Sequence, residues 1–211
     1  TSTLTIGGST DSTFSGAIAN SAGSLVKNGS SLLTLTGANA FSGGVVLSNG
    51  AILAGNDAAF GTGLVAFSSG RISSDSATAR TLANAFSLSG SLTFGDATNN
   101  GSLTLSGNAA LTQDTTLTIA SGVTLSGALS GAFNLTKAGA SELVLSGANS
   151  FGGSTTINAG TLQFGVGSYC GTSSQVCTTG HTTVYSTATG TGSVTINAGG
   201  TLDLHGYNLG D

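Results

Sequence analysis

The chain has 211 residues, 35 of them glycine, with no proline, methionine or tryptophan, four basic and eight acidic side chains, and a formal charge of −4. Glycine at this level without a Gly-X-Y period excludes collagen, and the absence of proline excludes a mucin-like stalk or polyproline linker. A positive mean hydropathy with so few charges argues against disorder, so few cations argue against nucleic acid, and no stretch approaches the 18 apolar residues of a membrane-spanning helix.

In chain order, the elements read as short strands. Residues 25–55 hold Leu33-Thr-Leu35, and Leu103-Thr-Leu105, Leu117-Thr-Ile119 and Val123-Thr-Leu125 follow. In each, apolar residues alternate with small or β-branched ones, and Gly, Asn, Ser or Asp comes soon after. The best helical candidate, Asp75 to Phe86, is broken by Ser and Thr and lacks a wide apolar face. Further on come Leu143-Val-Leu145 and Val194-Thr-Ile196.

Residues 135–165 restate residues 25–55. LVKNGSSLLTLTGANAFSGGVVLSNGAILAG aligns without a gap, at an offset of 110, with LTKAGASELVLSGANSFGGSTTINAGTLQFG, and 13 of the 31 positions are identical. The shared residues include Lys27/Lys137, Gly37/Gly147, Asn39/Asn149 and Phe41/Phe151, but no acid, His or Cys. The repeat is therefore architectural, because a fixed period marks a stacked-repeat fold. A shorter echo, Thr156-Ile-Asn-Ala-Gly160 and Thr195-Ile-Asn-Ala-Gly199, returns after 39 residues.

With a coil of about 22 residues, the first offset is roughly five coils and the second is one coil plus roughly 17 inserted residues. That places a loop excursion at residues 166–192. Strands this short cannot fill a sandwich, but each can form one side of a β-solenoid coil, paired with the next coil about 4.8 Å away. Gly and Asn would make the corners. The expectation is one all-β domain over residues 1–211, with nine or ten coils in a rod roughly 45 Å long. Lys27 and Lys137 are expected to cover apolar surface with their stems.

The string Leu135-Thr-Lys-Ala-Gly139, Leu143-Val-Leu-Ser-Gly-Ala-Asn-Ser-Phe-Gly-Gly153 and Thr155-Thr-Ile-Asn-Ala-Gly-Thr-Leu-Gln-Phe-Gly165 resembles the autotransporter-associated β-strand repeat, also called the passenger-associated transport repeat. Residues 25–55 match it less perfectly, and Ala79–Asn84 and Gly190–Asn208 resemble its connecting coils. The resemblance implies a right-handed parallel β-helix, secreted or held at the cell surface of a Gram-negative bacterium and folded outside by coil stacking. The motif says almost nothing of activity, and it is the singly scattered acids and the lack of a nucleophile elbow or P-loop that lead to the expectation of no enzyme and no cofactor. On this reading the chain is a piece of a longer passenger, or a subunit whose ends are completed by other copies in an end-to-end polymer. In electron micrographs, monodisperse short rods would count against the polymer.

An exported chain meets an oxidising compartment, so Cys170 and Cys177 are expected to close a small loop by a disulfide. A metal site of Cys170, Cys177 and His181, with or without His205, is the weaker alternative, since the spacing matches no usual zinc pattern. Tyr169, His181 and Tyr185 make the same loop the candidate for binding a glycan or cell-surface ligand. The acids are scattered singly and are expected at solvated corners and turns, with Arg71, Asp75 and Arg80 in a small polar patch.

Overall fold

The computed structural model of the chain describes residues 2–19, 22–164 and 192–203. These hold nineteen strands and no helix, and the strands stack in parallel as a solenoid of about eight turns, close to the nine or ten expected. The strands fall into three columns. On the first side Thr3–Ile6, Ser24–Lys27 and Val45–Leu47 stack in order. On the second, Ser12–Phe14, Leu32–Leu35 and Ala51–Ala54 do the same. The third begins at Arg80–Leu82 and continues through Leu103–Leu105, Val123–Leu125, Leu143–Leu145 and Gly160–Phe164 to Gly200–Asp203.

Three long strands, Val65–Ser74, Phe86–Phe94 and Ala109–Ile119, bend from the first side to the second without a break. Their early residues continue the first column to Leu129–Ser130. Their later residues continue the second to Leu135–Ala138, Thr155–Ile157 and Val194–Ile196. Alternation places every second residue inside, so like stacks on like: Leu33, Ile52, Ile72, Phe94 and Ile119 form one buried row. Phe67 and Phe94 meet edge to face across the interior, with ring centroids 5.3 Å apart.

Each repeat copy contains its own stacking interface. Its first strand pairs with its third (Leu25 with Val45, Leu135 with Thr155), and its second with its fourth (Leu33 with Ile52, Leu143 with Leu162). The two copies nevertheless lie on different sides. Five turns from Leu25 run through Val45, Val65, Phe86 and Ala109 to Leu129, six residues short of its sequence counterpart Leu135. Irregularities in register between Phe67 and Ser69 and between Leu111 and Thr115 add residues to the second side that the first side lacks. The second copy therefore runs along the second and third sides, where the first copy runs along the first and second. A regular turn takes 20 or 21 residues, and the turn from Thr155 to Val194 takes 39, as the shorter echo implied.

Candidate functional site

Alternation places Lys27 and Lys137 on the inner face, in line with Leu25 and Leu135. Both are completely buried, so they stand in the core itself where the expectation was that their stems would cover apolar surface. Lys27 stacks over Leu47, and Lys137 lies between Leu117 above and Ile157 below, so each replaces an apolar residue in a core row. A buried ammonium must find acceptors. The corner beside each strand supplies them, because a chain turning between sides leaves carbonyls free of the ladder.

Lys137 Nζ donates to the carbonyls of Ala138 (3.1 Å) and Gly139 (2.7 Å) in its own turn and of Ala159 (2.9 Å) in the next. Lys27 Nζ donates to the carbonyl of Gly29. At the matching corner of the next turn stand Gly50 (φ 73°) and Gly160 (φ 67°), in the left-handed region where glycine has no steric cost. A Cβ on Gly50 would lie 2.6 Å from Lys27 Nζ. Burial lowers the pKa of both lysines, to about 8 for Lys137; for Lys27 the Asp11 carboxylate partly opposes the shift.

The other repeated residues also serve stacking. Asn39 accepts from the Ile18 amide of the turn before (2.8 Å) and donates to the Ala59 carbonyl of the turn after (2.6 Å), so one amide side chain ties three turns. Asn149 accepts from the Leu129 amide (2.9 Å). Phe41 and Phe151 fill the interior at 1% and 0% exposure. Gly37 and Gly147 lie where the preceding turn comes closest. Asn84, outside the duplicated segments, does similar work by donating to the carbonyls of Gly61 and Gly63.

Several acids staple corners rather than merely facing water. Asp11 accepts from the Leu32 amide, Asp57 from the Thr81 amide, and Asp114 from the backbone and side-chain amides of Asn134, each one turn on. Asn134 passes the contact on by accepting from the Ser154 amide. The two hydrogen bonds from Asn134 hold the Asp114 pKa below its ordinary value. Its contribution is therefore present above the unfolded pKa of about 3.9 and is lost as pH falls through the lower, folded one. Asp114→Asn is expected to unfold at lower urea than wild type at pH 7, with the gap closing as pH falls below the ordinary carboxylate range. Circular dichroism across that range checks it.

The polar patch contains two ion pairs, Arg80 with Asp75 (3.0 Å) and Arg71 with Asp96. Asp96 was the member not foreseen; it comes from the following turn, where Ile72 stacks on Phe94. Among the described residues no three His, Cys, Asp or Glu side chains gather as a metal site. None of the helices expected of a membrane span is present there either. Cys170, Cys177, Tyr169, His181 and Tyr185 lie outside the described residues, as does His205.

The family model for the passenger-associated transport repeat matches residues 25–54 and 135–164. No curated protein and no solved structure matches the chain. The two matched segments are the two that bury a lysine in a corner.

Proposed function

We propose that this chain, built on two passenger-associated transport repeats, is a non-enzymatic structural module of an exported bacterial surface protein: a passenger stalk or spacer that folds turn upon turn outside the cell. The repeats and the solenoid fold fit an autotransporter passenger module. One observation carries the rest of the reading. Lys27/Lys137, Asn39/Asn149, Phe41/Phe151 and Gly37/Gly147 all serve contacts within the stack, which leaves these repeated residues of the module with stacking as their work. Contacts between neighbouring turns let such a rod grow from one end as chain arrives.

In a Gram-negative cell, with an export signal ahead of the chain and a membrane barrel behind it, the chain should be cleaved by protease added to intact cells. Protection on intact cells with cleavage only after lysis would count against the proposal. A second reading, binding of a glycan or cell-surface ligand, is favoured by the 39-residue turn, whose extra residues include Tyr169, His181 and Tyr185. It predicts a glycan-array signal that disappears when residues 166–192 are deleted.

A further inference from the structure

We propose that Asn49 is a site of spontaneous covalent modification, where the folded chain converts an asparagine to aspartate and isoaspartate with loss of ammonia. The inference goes beyond the stacking role and does not depend on where the module is displayed.

The chain has three Asn-Gly bonds, Asn28-Gly29, Asn49-Gly50 and Asn100-Gly101. In each, the glycine carries no side chain to hinder its amide nitrogen from approaching the side-chain carbonyl carbon of the asparagine before it. All three asparagines are exposed, so access to water does not separate them. The partner of the glycine amide does. Gly29 donates to the Ile6 carbonyl of the turn before (3.2 Å), and Gly101 to the Ser76 carbonyl, also in the turn before (3.0 Å). Each of these nitrogens is committed to stacking and must be released by local opening before it can react. Gly50 donates instead to Oδ1 of Asn49 itself (2.8 Å). Its nitrogen is held against the group it would attack, which replaces a chance encounter by a preset one.

The corner keeps that arrangement in place. Ser48 donates to the Lys27 carbonyl (3.0 Å) and Ala51 to the Ser31 carbonyl (3.2 Å), so both flanks are tied to the turn before. Between them Asn49 and Gly50, the latter at φ 73°, make a bend that belongs to neither Val45–Leu47 nor Ala51–Ala54. The second repeat copy lacks the pair, because Ala159 stands in the place of Asn49 ahead of Gly160.

The reaction needs only water and hydroxide. Hydroxide takes the Gly50 amide proton, and the nitrogen's electron pair forms a bond to Asn49 Cγ. The Cγ–Nδ2 bond breaks, and Nδ2 takes a proton from water and leaves as ammonia, giving a cyclic imide and returning the hydroxide. Water then opens the ring. Breaking the new Cγ–N bond leaves aspartate, and breaking the original peptide bond leaves isoaspartate, with one more carbon in the main chain. The Gly50 carbonyl accepts from the Arg71 amide of the next turn (3.0 Å), so a lengthened corner is displaced against the turns on both sides.

Peptide mapping of the 211-residue chain, aged in heavy-oxygen water at mildly alkaline pH, tests the assignment, since each converted asparagine takes up labelled oxygen. In the folded chain Asn49 should convert at least about tenfold faster than Asn28 or Asn100, whereas in denaturing urea the three rates should converge. The aged chain should also unfold at lower urea than the fresh one. Asn49→Gln, whose longer side chain closes the ring far more slowly, should unfold alike fresh and aged. Asn28 or Asn100 converting as fast as Asn49 in the folded chain overturns the proposal, as does an Asn49 that stays unlabelled. An equal loss of midpoint in aged Asn49→Gln would place the damage elsewhere and overturn the structural consequence.

Discussion

Gly147→Val is expected to be among the most damaging single substitutions in the second repeat, lowering stability by about 4 kcal/mol or more. A Cβ at Gly147 would collide with the Gly127 carbonyl oxygen, with the Gly127 carbonyl carbon at 2.5 Å and the Ala128 nitrogen at 2.9 Å. All three atoms belong to backbone, so no side chain can swing aside, and relief requires the two turns to separate. Because a solenoid is held by nearest-neighbour contacts, the damage should be local. Amide exchange should quicken in Leu143–Leu145, Gly160–Phe164 and Gly200–Asp203, and should be nearly unchanged in Val45–Leu47. Gly122→Ala is the control, since a Cβ there meets nothing nearer than Ser102 Cβ at 4.0 Å and should cost under about 1 kcal/mol. Similar losses from the two substitutions would mean that the close approach at Gly147 is not what holds those turns.

The contrast between those glycines marks what the linear sequence could and could not reveal. Leu103-Thr-Leu105 and its fellows announce strands because alternation is local, and the 110-residue offset announces five turns because copies of one module stack alike. Rotation of the second copy by one side was hidden. It depends in part on a few extra residues near Ser68 and Thr112, which resemble other Ser-, Gly- and Thr-rich corners in the chain. Asp96 could not be paired with Arg71 for a related reason, since the partner depends on the register of the next turn. The lysines are a different case. Leu25-Val-Lys27 and Leu135-Thr-Lys137 place lysine on the inner face by simple alternation, but the general rarity of buried lysine outweighed that signal. What made burial possible, carbonyls turned inward at a corner, has no mark in the sequence beyond the nearby glycines.

Lys137 provides the second large effect, and two substitutions separate its parts. Lys137→Ala removes the donor to three carbonyls and empties a core position between Leu117 and Ile157, for an expected loss of about 3 kcal/mol. Lys137→Met refills most of the volume and removes the cost of burying a charge, so it should lose about half as much, the remainder coming from the unpaired carbonyls. The pH dependence gives an independent reading. Burial holds the folded pKa at about 8, whereas the unfolded lysine keeps its proton to about 10.4. Between those values the unfolded chain binds more protons, so wild-type stability should rise with pH. The rise attributable to Lys137 should be about 1–2 kcal/mol from pH 7 to pH 9.5. Lys137→Met should lack it, so the gap between the two proteins should widen on the alkaline side. A constant gap would mean that the three carbonyls just offset the cost of burial, and a gap that narrows with pH would mean that they hold the ammonium's proton more strongly than burial expels it, making the corner a site of net attraction for positive charge.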